Sequence, residues 1–197
     1  MRNARVLEIT TLGIFSAIIF IMSFVPWLGF IPLGFTDLTI IHIPVIIGGI
    51  FGGKRVAIGL GTAFGLASWS QALLRATGFA IVFQNPLVSV LPRVLFGIAI
   101  YLLFVGLGKV VHQLFVQIAL TAVLSTLLHT LFVLSSFFIF APLDPLLREF
   151  ADNTPFFAFI WAIILSNGIF EMLAAFVIAT PIVWRLRVAN PFAQDAQ

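Results

Sequence analysis

The sequence predicts an all-α integral membrane protein, one domain over residues 1–197 with six transmembrane helices and both termini cytoplasmic. Three observations predict it. Hydrophobic residues make up 61% of the 197 and charged residues 9%, where a soluble domain carries about a quarter charged. The mean hydropathy is +1.20. The low-charge stretches recur at bilayer-spanning length, and the few charges stand mostly where helices should end.

The first apolar stretch follows Arg2 and Arg5, as a signal peptide would. It has no obvious small-residue cleavage site and more spans follow it, so a retained helix over about 8–28 is predicted, closed by Pro26, Trp27 and Gly29. A loop with Pro32, Gly34 and Asp37 precedes a short apolar helix at about 38–52. Gly52, Gly53, Lys54 and Arg55 read as a tight charged turn. In the third helix, about 55–72, Gly59, Gly61 and Gly65 permit close helix contacts. Residues 73–85 are less regular. A fourth helix follows over about 86–105, despite Pro92 in its first turns, and Gly106, Gly108, Lys109 and His112 close it. The fifth occupies about 114–138. A loop over 140–156 holds three prolines and four charges, and the last helix, about 157–184, ends at Arg185 and Arg187.

Six spans place both termini on one side. Arg2, Arg5, Lys54, Arg55, Lys109, Arg185 and Arg187 then share that side, whereas Arg75 and Arg148 fall in opposite loops. The positive-inside bias makes the shared side cytoplasmic. The short second segment is the weakest of the six.

Several function classes fall away. Without cysteine there are no disulfides or thiolate metal sites. A net charge of +3 from ten Lys and Arg forms no continuous basic face for nucleic acid. No His-Glu-x-x-His metal motif, phosphate-binding loop or Gly-x-Ser-x-Gly turn occurs, so no metal, cofactor or catalytic residue is assigned. Uphill transport driven by ATP would need an ATPase on another chain.

The remaining polar residues within the spans carry the functional reading. Asn167 and Glu171 stand four apart in the last helix, hence on one face, and a carboxyl there needs a partner. They either cap and bridge helices or contact a ligand. Asn85 and Pro86 suit the cap and first turn of the fourth helix. Arg93 lies one to two turns into that helix, where it snorkels outward, pairs with Glu171, or meets an anionic substrate with its planar donor fork. Trp69 ends the third helix beside Gln71, with Arg75 following; the indole is an interface anchor or an apolar wall over a polar pocket. His129 lies near the middle of the fifth helix behind Ser125 and Thr126, either bonded between helices or facing a ligand. His42, in the short second helix, is the weaker histidine. In the first helix Gly13 and Ala17, with Ser16 adjacent, form a small-x-x-x-small pair that either packs internally or receives a partner helix.

Taken together these residues resemble the substrate-binding S component of an energy-coupling factor transporter. The resemblance spans nearly the whole chain. It rests on the size, the six-span layout, the first-helix small pair, the passage Ile47-Gly48-Gly49-Ile50-Phe51-Gly52-Gly53 and the Asn167 to Glu171 pair. The run Asn85-Pro86-Leu87-Val88-Ser89-Val90-Leu91-Pro92-Arg93 resembles the pantothenate-binding members most, with hydroxymethylpyrimidine carriers as the alternative. The resemblance implies capture of a vitamin outside a prokaryotic cell and docking onto a transmembrane coupling subunit driven by two cytoplasmic ATPases. It also implies a first-helix contact with the coupling subunit, where Gly13 stands in place of the family's first alanine. Residues 29–37 and 73–84 would cover the pocket. Asn85, Arg93, His129, Asn167 and Glu171 would lie below, with Trp69, Gln71 and Arg75 at its edge. A stand-alone, ion-coupled carrier with Glu171 moving the proton is the other reading.

Overall fold

Helix α1 (Arg2–Phe24) has almost no charge after Glu8 and ends two residues short of Pro26. The computed structural model describes residues 2–25, 28–32, 37–75, 78–143, 148, 152 and 155–189, with backbone alone for 2–4, 30–32, 37, 38, 75 and 78–80. Pro26, Trp27 and Gly34 lie outside the described residues. Strands β1 (Phe30–Pro32) and β2 (Asp37–Thr39) then pair antiparallel, with Phe30 opposite Thr39. Residues 38–39, assigned to helix on apolarity alone, therefore belong to a ribbon. Their backbone groups find strand partners before the helix begins.

Helix α2 (His42–Arg75) is interrupted at Gly53, whose φ of 77° and ψ of −166° place it in a region open to glycine alone. The chain folds back there. A Cβ on Gly49 would lie 3.2 Å from the Ala57 Cβ, and one on Gly48 would strike the Leu60 side chain. A straight helix holds residues eight apart at about 12 Å and residues twelve apart at about 18 Å. The element is thus a helical hairpin, with arms over residues 42–52 and 54–75, and the sequence's glycine turn sits where the arms meet.

A 3₁₀ segment (Gly78–Gln84) leads to α3 (Pro86–Ser89) and α4 (Leu91–Leu107). The single fourth helix expected from residue 86 is in fact broken at Val90. Pro92 has no N–H to continue the ladder, so α4 restarts with that proline in its first turn. Helix α5 (Leu114–Phe140) is uninterrupted. The last element, α6 (Phe156–Ala189), runs five residues beyond the expected end and contains two π-helical stretches, Ile164–Gly168 and Ala175–Ala179.

Among the described residues five helical stretches are long and apolar enough to cross a membrane: Arg5–Phe24, His42–Leu74, Pro86–Leu107, Leu114–Leu143 and Phe156–Ala189. The core is the α2 hairpin packed on α1 and α4. Ile19, Val45, Ile46, Leu60, Phe96, Ile100 and Ile118 are buried there, while Leu102, Trp161, Leu165 and Val177 point outward. That outward apolar surface suits lipid as solvent. In lipid, helices associate through close packing of small residues more than through apolar burial. The α2–α4 crossing does this: a Cβ on Gly61 would lie 3.2 Å from Gly97 Cα and strike the Arg93 carbonyl.

One end of the bundle collects the start of α1, the Gly53 turn and the end of α6. Arg55 pairs with Glu8 at 3.5 Å, and Arg187 Nη2 donates to the Ile50 carbonyl at 2.8 Å. The ribbon and the 3₁₀ segment lie toward the opposite end.

Candidate functional site

Buried polar side chains gather between the ribbon end of the bundle and its core. Arg93 enters from the first turn of α4, which the Asn85 cap, Pro86 and Pro92 set in place. Its Nη1 donates to the Val88 carbonyl at 2.8 Å, and its guanidinium lies 5.6 Å from the Phe64 ring centre and 5.3 Å from that of Phe83. The arginine is thus sandwiched between the second arm of α2 and the 3₁₀ segment. It neither snorkels outward nor pairs with Glu171. Among the described residues the ion pair formed is Glu8–Arg55.

His129 of α5 shares the Phe64 wall. Its ring centre is 5.5 Å from Phe64 and 4.7 Å from Phe96, one turn below Arg93 on α4. On its other side lies His42, at the very start of α2, with ring centres 6.1 Å apart and planes 16° off parallel. Both imidazoles are buried, and none of their four nitrogens has a hydrogen-bond partner; Arg93 Nε also lacks one. Leaving a buried polar group unsatisfied costs roughly 1–3 kcal/mol. Five such atoms in one cluster are costly, and a polar ligand seated among them would remove the cost.

Beyond His42 the row ends at Glu171, buried in α6, whose Oε1 accepts the Thr39 amide at 3.0 Å. This bond ties the end of β2 to the last helix. Asn167 is buried one turn earlier, within the first π-helical stretch. There Ile169 N–H reaches back to the Ile164 carbonyl, one residue further than an α-helix allows. The wider turn admits an extra residue beside the buried Asn167 and Glu171; such π turns concentrate at functional sites.

The other sequence candidates sit around this row. Asn85 is engaged as a cap, its Oδ1 accepting Leu87 N–H at 3.0 Å. Trp69 Nε1 donates to the Gln84 carbonyl at 2.9 Å, and Gln84 Nε2 reaches the Ala72 carbonyl at 3.4 Å. The indole therefore fastens the 3₁₀ segment to α2. Gln71 is half-buried on the same end of α2. Arg75 closes α2, its side chain outside the described residues. Gly13 and Ala17 are exposed on α1, with nothing within 4 Å of a Cβ at Gly13, so the pair does not pack inside this chain. Ser16 is half-buried beside them.

Sequence reasoning undervalued His42 and missed Thr39. A lone histidine near a helix start carries no spacing signal, and Thr39 acts through its backbone. Arg187, counted as a topology charge, is buried instead, 4.4 Å from the Phe104 ring centre and bonded to Ile50.

An apolar bundle with a preformed, buried polar row suits a membrane protein that binds a small polar molecule. Residues 7–183 match the family described as the ECF transporter substrate-specific component, and the chain belongs to that family. It is also 36% identical over 107 residues to the pantothenate transporter PanT of Leuconostoc mesenteroides; the match covers 52% of each protein, about half the length of either.

Proposed function

We propose that this chain is the vitamin-capturing subunit of an energy-coupling factor transporter in a prokaryotic cell membrane, and that its vitamin is pantothenate. The observation that carries the reading is the row Arg93, His129, His42, Asn167 and Glu171, buried among apolar walls, with the histidine ring nitrogens and Arg93 Nε making no hydrogen bond. Arg93 holds the carboxylate through its donor fork. Asn167 and the histidines serve amide and hydroxyl groups, while Phe64 and Phe96 line the apolar part, as in pockets that are mostly apolar with few polar anchors. The half-length likeness to a pantothenate transporter supports the choice of vitamin.

The topology follows the same reading. The two arms of α2 count as separate crossings, giving six spans and both termini on the cytoplasmic side. The first arm holds 11 residues, a rise of about 16 Å, roughly half the hydrocarbon thickness. Non-helical backbone is tolerated at membrane depth only where it lines a cavity, which suits the ribbon at this arm's start as the cover over the site. Trp69 and Gln84 hold the second cover. Transport then requires a coupling subunit and two ATPases, and the exposed face of α1 at Gly13, Ser16 and Ala17 receives the coupling subunit.

Calorimetric titration of the purified protein with water-soluble vitamins tests the substrate. Submicromolar binding of pantothenate, without metal or nucleotide, is expected. Binding of a hydroxymethylpyrimidine in its place overturns the vitamin and keeps the family. Proteoliposomes holding this chain alone should bind vitamin without accumulating it. Accumulation driven by a proton gradient would overturn the coupled mechanism.

A further inference from the structure

We infer that His42, paired with His129, is a specificity-determining residue that reads hydroxyl groups of an elongated monocarboxylate whose acid end lies at Arg93. The inference rests on the binding-site reading above and adds a residue and a ligand orientation to it. His42 has no accessible surface, and neither ring nitrogen makes a well-aligned hydrogen bond, the main chain of Thr39 and Glu171 being its polar neighbours. Its ring is stacked on His129 at 6.1 Å between centres and meets Phe96 edge-on at 6.4 Å. Packing alone would be served better by a phenylalanine, which has no polar atoms to strand.

The pair cannot satisfy itself. A neutral imidazole has one donor and one acceptor nitrogen, both on the ring edge. The ring centres lie 6.1 Å apart, and no nitrogen of either ring makes a hydrogen bond to the other. Each histidine therefore needs a third group, and a hydroxyl, which donates and accepts, matches the edge of either ring. A carboxylate matches poorly because it offers no donor, and Arg93 already supplies guanidinium donors across the shared Phe64 wall. The order Arg93, His129, His42 through the core thus sorts the ligand: acid at α4, hydroxyls toward the start of α2. Pantothenate has this layout, with its carboxylate at one end and its two hydroxyls at the other.

The test compares pantothenate with N-(3,3-dimethylbutanoyl)-β-alanine, which keeps the acid and the amide and lacks both hydroxyls. His42→Phe preserves ring volume and removes both nitrogens; His42→Gln keeps one donor and one acceptor. In the wild-type protein pantothenate should bind about 30-fold or more tighter than the analogue, since a site built for a hydroxyl is left unpaired without it. His42→Phe should reduce that ratio by about tenfold, while His42→Gln stays within about threefold of wild type. An unchanged ratio in His42→Phe, or equal losses of both ligands in both variants, overturns the inference and leaves the vitamin reading standing. Nitrogen-15 histidine spectra of the wild-type protein give a readout independent of any variant's folding. Pantothenate should move the ring signals of His42 and His129 while exposed His112 stays put, and a silent His42 overturns the assignment. A wild-type protein that binds no pantothenate by calorimetry overturns the parent reading first, and this inference with it.

Discussion

Two buried arginines, Arg93 near one end of the bundle and Arg187 at the other, look alike taken singly. Each donates one 2.8 Å bond to a backbone carbonyl, each lies over at least one aromatic ring, and each leaves Nε unpaired. Their company differs. The Ile50 carbonyl that Arg187 reaches belongs to the last turn before Gly53, where a helix end leaves carbonyls without intrahelical partners. The polar group closest in kind, Gln117, is spent on the Phe104 carbonyl at 2.7 Å. Around Arg93 stand two histidines whose ring nitrogens make no well-aligned hydrogen bond. A buried cation by itself does not mark a ligand site; what supports the proposed site at Arg93 is its unsatisfied company.

The largest effect is expected from Arg93→Ala. Losing a buried charge-assisted bond should weaken pantothenate by about 2–4 kcal/mol, and the alcohol analogue pantothenol far less. Equal losses for acid and alcohol, measured by calorimetry, would make Arg93 a structural arginine like Arg187 and dissolve the contrast. Arg187→Ala should do the reverse. It removes a charged hydrogen bond worth about 1.5–3 kcal/mol, lowering the thermal midpoint by about 4–10 °C while vitamin affinity stays within about threefold. A binding loss with an unmoved midpoint would show that both ends serve the ligand.

Gly53→Ala sharpens the account of the Arg187 end. Forcing a Cβ into a φ of 77° should cost about 1–3 kcal/mol in thermal unfolding. Unchanged stability would mean that the hairpin does not depend on this conformation. The smallest effect on the isolated chain belongs to Gly13→Trp. Nothing lies within 4 Å of that position's Cβ, so stability should stay within about 0.5 kcal/mol and vitamin affinity should be unaltered. ATP-driven uptake by the assembled transporter should nevertheless be lost, because bulk there holds a partner helix away. Normal uptake would reject this face as the coupling surface.

The division between what was legible and what was not follows interaction range. Apolar runs marked the long helical stretches, and Gly52-Gly53-Lys54-Arg55 marked the turn, because lipid and backbone geometry impose those locally. Arg93, His129, Asn167 and Glu171 stood out since a polar group within a span needs a reason. Their roles were not legible, because partners come from distant chain: Glu171 meets Thr39 across 132 residues. The Val90 break could be anticipated from Pro92, whereas the π turns of α6 leave no comparable mark. Arg187 was misread because its position at a span end fits a topology charge as well as a helix cap.

The Arg187–Ile50 bond joins residues 137 positions apart, and this has a bearing on how the protein is made. The α2 hairpin is made before α6, so the Ile50 carbonyl lacks its Arg187 donor until residue 187 has been added. Until it arrives interfacial water or another donor must serve that carbonyl, so the end of α6 completes the Gly53 turn only after the earlier helices are made. Chains truncated before residue 187 should therefore insert all the apolar stretches yet unfold at a lower temperature than the full chain.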